Sequence, residues 1–344
     1  MRYQTFGRTT GLRVSEYALG TAGLGASGRE DAREIFETFV DAGGTTVDTS
    51  NIYRDGESET VLGELLGSRR DDLVLITKYS GTRQADPRPA TTGNSRRVMI
   101  RALEASLRRL KTDYVDVYMP HFPDGVTPMD EILGGFDDLV RSGKILHGGL
   151  SNFPAWRVAG GVSRAHPRGL GPLVGIETEY SLAERSAERE MLPMAEAYGL
   201  GVLTYSPLAG GLLTGKYRQG EQGRLSARGD AVESGAQRTA TVDAVLAIAG
   251  EVGTSATQVS LAWLRHRAAR CGTALIPIVG PRTPAHLREY LRALDLDLDE
   301  QHHRLLDEVS QVRLGTPHED VVGALAHGAD GNRELLRSPV VPVI

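Results

Sequence analysis

The chain has 344 residues, 40% of them hydrophobic, with 39 lysines and arginines against 44 aspartates and glutamates and a formal net charge of -5. That balance argues against nucleic acid or an anionic membrane surface as the main partner, and the single cysteine, Cys271, excludes an internal disulfide or a cysteine-based metal cluster. Met1 to Gly7 carries no signal-peptide h-region and no apolar run approaches the roughly eighteen residues of a membrane span, so the expectation is a soluble cytoplasmic protein.

In chain order, residues 2–15 read as a small hairpin with the turn-rich Gly7-Arg8-Thr9-Thr10-Gly11 at its centre, a plug or lid before the main fold. Candidate strands follow near 17–20, 45–49, 73–78, 114–120, 145–150, 174–180, 201–206 and 274–279. Between them the apolar period becomes helical: Ile35, Phe36, Phe39 and Val40; then Met99, Ile100, Leu103, Leu107 and Leu110; then Met129, Ile132, Leu133, Phe136, Leu139 and Val140. Gly143 follows the last of these as a C′ residue would.

Alternating strands and helices imply parallel pairing through right-handed crossovers, and eight such units close into a (β/α)₈ TIM barrel. No composition shift marks a boundary, so residues 1–344 are expected to be a single barrel domain, with its core over about 2–310 and a C-terminal tail over 311–344. Three connections are longer than a barrel needs: 80–94, 207–240 and the tail. They predict extra helices and long loops over the C-terminal face.

That face should carry the chemistry. Three successive strands deliver Asp48, Lys78 and His121 at their ends, and Tyr53 lies five residues beyond Asp48 on the following loop. A tyrosine titrates near 10, so as a proton donor or acceptor near neutrality it needs a stabilised phenolate, most simply from an ammonium. Lys78 can supply it, Asp48 can hold that lysine charged, and His121 can orient a carbonyl beside Tyr53. No step needs a metal, and Asp48 with His121 alone makes a poor metal site for a hydrolase or lyase.

These residues, within Asp48-Thr49-Ser50-Asn51-Ile52-Tyr53, resemble the catalytic tetrad of the aldo-keto reductases, and the resemblance runs from about residue 2 to about 310. Further similar segments are Gly149-Leu150-Ser151-Asn152-Phe153, Glu179-Tyr180-Ser181-Leu182, Tyr205-Ser206-Pro207-Leu208 with Gly211 to Lys216, and Ile276-Pro277 with Gly280. The resemblance implies a barrel that binds NADPH across its C-terminal face without a Rossmann domain, and it implies reduction of an aldehyde or ketone with hydride from the nicotinamide and a proton from Tyr53. It places Ser151 and Asn152 at the carboxamide, Tyr205 on the ring, Ser206, Pro207, Leu208, Gly210, Gly211 and Lys216 at the pyrophosphate, and Gly280, Arg282, His286, Glu289 and Tyr290 at the adenosine end. Arg282 would grip the 2′-phosphate, with Arg224 or Arg228 as alternatives. Leu24, Tyr53 and Phe122 are expected to wall the substrate site, where a sugar, a small aldehyde or a secondary-metabolite ketone would each fit.

Glu177 departs from the family pattern, which has glutamine there; so do His286, Tyr290 and Pro281. An ionised Glu177 beside the nicotinamide would favour the cationic oxidised ring, whereas a protonated or ion-paired one would not. A nicotinamide-binding regulatory subunit with little turnover is the alternative that the resemblance also implies, since some relatives regulate channels.

Overall fold

Strands buried on both faces favour apolar and small residues, and eight mostly buried strands here form one closed parallel sheet. The computed structural model describes residues 1–82, 86–165, 169–171, 173–229 and 232–319. A hairpin of β1 (Tyr3–Thr5) and β2 (Arg13–Ser15) precedes the barrel. The barrel strands are β3 (Ala18–Gly20), β4 (Thr46–Asp48), β5 (Val74–Tyr79), β6 (Val115–Pro120), β7 (Ile145–Ser151), β8 (Leu173–Glu179), β9 (Gly201–Tyr205) and β10 (Leu275–Val279). They close in sequence order, with β10 pairing back onto β3. The predicted (β/α)₈ architecture and its hairpin are therefore present.

One helix joins each of the first strands to the next: α1 (Arg29–Asp41), α2 (Glu57–Leu66), α3 (Arg96–Leu110), α4 (Met129–Arg141), α5 (Ala155–Ala165) and α6 (Met191–Tyr198). Side-chain caps satisfy orphan amides at several starts; Ser95 Oγ accepts from the Val98 amide at α3. The expected C′ glycine ends α4: Gly143 has φ 71°, and its amide donates to the Val140 carbonyl at 2.9 Å. A side chain there would be held in the left-handed region, so Gly143→Ala should cost about 1 kcal/mol in a urea melt. An unchanged midpoint would count against that strain.

Of the three long connections read, only 207–240 carries α-helix among the described residues, and the two helices after β10 lie ahead of the tail. Between β9 and β10 lie α7 (Arg224–Arg228), α8 (Ala236–Val252) and α9 (Ala256–Arg270); after β10 come α10 (Pro284–Arg292) and α11 (Glu300–Ser310). The 80–94 loop is pinned to the connection after β6, because Asp124 Oδ2 accepts the Asn94 amide at 2.8 Å. Residues 83–85 lie outside the described residues. Arg189 donates to the carbonyls of Arg313 and Leu314, so the start of the tail lies against the connection after β8. Residues 320–344 of the tail are outside the described residues.

The barrel interior is apolar below and polar above. Phe6, Val14, Ala18, Ile76, Val117 and Leu203 belong to the lower cluster. Phe6 is fully buried, and a Cβ on Gly175 or Gly201, near the starts of β8 and β9, would sit 2.4 and 2.3 Å from its ring. The hairpin is thus a plug at the N-terminal mouth, opposite the face expected to carry chemistry. Among the described residues no helix is long and apolar enough to cross a membrane.

Candidate active site

Barrel closure brings Asp48, Tyr53, Lys78 and His121 together. Lys78 lies one residue before the end of β5, fully buried, and its Nζ donates to Asp48 Oδ1 at 2.5 Å and to the Thr49 carbonyl at 3.1 Å. The Tyr53 ring, on the short helical turn after β4, has its centroid 5.4 Å from that Nζ. His121, directly after β6, meets the Tyr53 ring edge-on, with centroids 5.8 Å apart and planes at 81°. Phe122 stacks on the other side of His121 at 4.3 Å and remains 46% exposed. Leu24, by contrast, is buried in the hydrophobic cluster between strands and helices.

Ser50 is a residue that sequence reasoning left without a role. Its Oγ lies 3.0 Å from His121 Nδ1. If the hydroxyl donates, Nδ1 is the acceptor and Nε2 carries the hydrogen. Its only signal in sequence was its place in the strand-end segment.

Backbone strain concentrates on the same face. Of seven non-glycine residues with positive φ among the described residues, six are Arg54, Asp55, Ser80, Asn152, Ser206 and Ala209, all just past the C-terminal ends of strands. Such conformations cost about 1–3 kcal/mol each and persist where the surroundings enforce them, as at binding and catalytic sites.

The electrostatics separate the four groups. Burial works against the Lys78 charge, but the Asp48 and Glu177 carboxylates outweigh it and raise its proton affinity, so it stays an ammonium. Burial raises the Tyr53 phenol above its usual value; Lys78 pulls it down, and Asp48 and Glu177 push it up again. Lys78 therefore acts on Tyr53 in the expected direction, but burial dominates and the phenol stays protonated at neutral pH. Burial, followed by the Lys78 charge, lowers His121 to about 3, so its ring is neutral.

The remaining predicted residues line the same face. Ser151 ends β7 and is buried; Asn152 Nδ2 donates to its Oγ at 3.1 Å and to the His121 carbonyl at 3.0 Å. The Tyr205 hydroxyl, at the end of β9, donates to Asn152 Oδ1 at 2.8 Å, which links this segment to the next. Glu177 of β8 turns into the lumen, where Oε2 lies 3.2 Å from Lys78 Nζ.

After Ser206, Pro207 and Leu208 comes a glycine-rich turn with φ 65° at Gly210 and 96° at Gly211. A Cβ on Gly211 would lie 2.8 Å from Lys216 Cε, so glycine admits the lysine stem as well as the backbone turn. Tyr217, which sequence reasoning passed over, closes this loop: its hydroxyl donates to the Gly210 carbonyl at 2.8 Å and accepts the Leu225 amide at 3.1 Å.

At the far end, Gly280 and Arg282 follow β10 and are exposed, as is His286, which stacks near Tyr290 at 6.4 Å. Burial, then Glu289, pushes the Tyr290 hydroxyl up to about 12, while the nearby charges of Arg282 and Arg224 pull it down. Both arginines therefore act on one spot. Glu289 accepts from Ser255 Oγ at 2.6 Å, which ties it to α9. The Arg228 side chain lies outside what is described. Among the described residues, no group of three or more His, Cys, Asp or Glu is placed to hold a metal ion.

The sequence is similar to those of known proteins. The sequence profile of the Aldo/keto reductase family matches residues 17–311. An uncharacterized oxidoreductase, YrpG, of Bacillus subtilis (strain 168) is 37% identical over 320 residues, covering 90% of this chain and 96% of the relative. An aryl-alcohol dehydrogenase [NADP(+)] of Phanerodontia chrysosporium is 30% identical over 342 residues, 92% of this chain and 88% of the relative. A putative voltage-gated potassium channel subunit beta of Schizosaccharomyces pombe (strain 972 / ATCC 24843) is 32% identical over 335 residues, 92% and 94%. A closed parallel barrel, a buried Asp-Lys pair beside a tyrosine and a histidine, and a profile match spanning that barrel together make this chain an oxidoreductase of the aldo/keto reductase family.

Proposed function

We propose that the protein reduces an aldehyde or ketone to the alcohol with NADPH, Tyr53 giving the proton. The observation that carries this reading is the buried Lys78–Asp48 pair set 5.4 Å from the Tyr53 ring, with neutral His121 on the ring's edge. When bound, the cofactor supplies the hydride. The face fits such a group: a strained glycine-rich turn, a lysine beside it and the positive charges of Arg282 and Arg224 acting on Tyr290 suit an elongated, phosphate-bearing ligand. Ser151 and Asn152 would hold its carboxamide, Tyr205 its ring, and Ser206, Leu208, Gly210 and Lys216 its pyrophosphate.

The protein's own steps follow from the electrostatics. His121 Nε2–H donates a hydrogen bond to the carbonyl oxygen and orients it; being neutral, the ring does so without surrendering a proton. Tyr53, protonated at neutral pH, gives its phenolic proton to the same oxygen as negative charge develops there. Lys78 then stabilises the phenolate, and Asp48 keeps that ammonium in place.

Absorbance loss at the reduced-nicotinamide band with a panel of aldehydes, ketones and keto-sugars tests the reading. Turnover of any one of them supports it. Tight NADPH binding with no carbonyl consumed by the whole panel would favour a regulatory subunit, the reading to which the fission-yeast relative lends support.

Preference for NADPH over NADH should rest on Arg282, whose planar fork can grip a 2′-phosphate. Arg282→Ala is expected to weaken NADPH binding about tenfold or more and NADH about twofold or less. Equal losses for both cofactors, measured by fluorescence titration, would move the phosphate to Arg224.

A further inference from the structure

In the closed strand order β8 lies four steps from β4 in either direction and three from β5, so Glu177 faces Asp48 from the opposite wall of the barrel and reaches Lys78 across the lumen. Its Oε2 comes within 3.2 Å of Lys78 Nζ, with the two side chains 2% and 0% exposed. That oxygen accepts no hydrogen bond from the described residues, while Lys78 already donates to Asp48 and to the Thr49 carbonyl. One ammonium facing two carboxylates would leave an uncompensated charge among buried groups, which is costly. A single proton held between the carboxyls removes it. Burial, then the Asp48 carboxylate, pushes Glu177 up to about 8 against the pull of Lys78; burial raises Asp48 as well.

We propose that Glu177 is a positioning residue: the third member of a buried Asp48–Lys78–Glu177 cluster whose proton content sets, through Lys78, the acidity of Tyr53 and the relative affinity for oxidised and reduced cofactor. The inference rests on the reductase reading above. Protonated, Glu177 leaves the cluster neutral and the Lys78 charge free to act on Tyr53. Ionised, it opposes loss of the phenolic proton and adds a negative charge that favours a cationic nicotinamide over a neutral one.

Asp48, Lys78, Tyr53 and Tyr205 are the other titratable groups around it, with His121 beyond Tyr53. Tyr53 and Lys78 titrate far above neutrality, Tyr205 at about 12 and His121 at about 3. Between pH 5 and 9, the proton that moves is the one shared by the two carboxyls. An unfolded glutamate releases it near 4.5, whereas the folded chain keeps it to about 8, so this group's contribution to stability falls as pH rises between those values.

The test measures dissociation constants of NADP⁺ and NADPH by fluorescence from about pH 5.5 to 9.5, for wild type and Glu177→Gln, with Tm of both cofactor-free proteins. The ratio Kd(NADPH)/Kd(NADP⁺) in wild type should rise about fivefold across the range and stay flat in the variant. The 2′-phosphate is common to both ligands and cancels. Wild-type Tm should fall relative to the variant's between about pH 5 and 8. A ratio independent of pH in wild type overturns the inference without reference to any variant, and so does a variant that keeps the wild-type slope. If neither cofactor binds, the reductase reading fails, and parallel Tm curves would then sink the shared proton separately.

Discussion

Replacing Tyr53 by phenylalanine should lower kcat for carbonyl reduction by about 10³-fold while leaving the NADPH dissociation constant within about twofold. The loss is large because the phenol is the protonated group of the cluster that stands beside His121: burial keeps Tyr53 protonated, Lys78 and Glu177 are buried away from solvent, and His121 is a neutral ring whose remaining hydrogen is far too weakly acidic to give up. The ring itself survives the substitution, so its edge contact with His121 and its place over Lys78 should persist. Steady-state kinetics with the best carbonyl of the panel, alongside a cofactor titration, checks both halves. Retention of most of the turnover would remove Tyr53 as the proton donor. A parallel collapse of cofactor binding would recast it as a binding residue.

Lys78→Met should reduce kcat by about 10²-fold or more, and it should also cost about 3 kcal/mol of stability at neutral pH. The second effect comes from what the ammonium leaves behind. Asp48 and Glu177 would both stay buried with no cation beside them, so both would be driven toward their protonated forms. The penalty should therefore shrink on acidification, and the variant's Tm should approach that of wild type below about pH 5. Combining Lys78→Met with Asp48→Asn removes one of the stranded carboxyls and should restore part of the Tm without restoring turnover. A variant with wild-type kcat, or a Tm deficit independent of pH, would contradict the role given to this lysine.

Much of this was legible in the sequence because strand period and strand ends are local signals. Each expected strand lies within a residue or so of an observed one: 45–49 is Thr46–Asp48, and 114–120 is Val115–Pro120. In a parallel barrel all C-terminal ends share one face, so reading Asp48, Lys78 and His121 at strand ends was enough to bring them together. The hairpin could be seen but not placed, because its position depends on Phe6 finding room over Gly175 and Gly201, two residues far away in the chain.

Other features were illegible for the same reason. The approach of Glu177 to Lys78 crosses the barrel from β8 to β5 and exists only once the sheet closes. The hydrogen bond of Ser50 to His121 joins two loops, and the hydroxyl of Tyr217 organises the glycine-rich turn from seven residues further on. A polar side chain on an irregular segment has no period to betray it. Leu24 shows the converse: it sits near the right strand end, yet its side chain is buried in the outer core.

With NADPH and a carbonyl substrate, the proposed chemistry moves a hydride from the reduced nicotinamide to the carbonyl carbon while Tyr53 protonates the oxygen. A single-turnover reaction tests it most directly, with NADPH deuterated at the transferable position, a carbonyl from the panel in excess, and mass spectrometry of the alcohol. One deuterium is expected at the carbinol carbon, formed in step with cofactor oxidation by wild type and slowed about 10³-fold by Tyr53→Phe. Oxidation of the cofactor without deuterium in the alcohol, or stable binding of NADPH with no alcohol formed from any carbonyl, would contradict it.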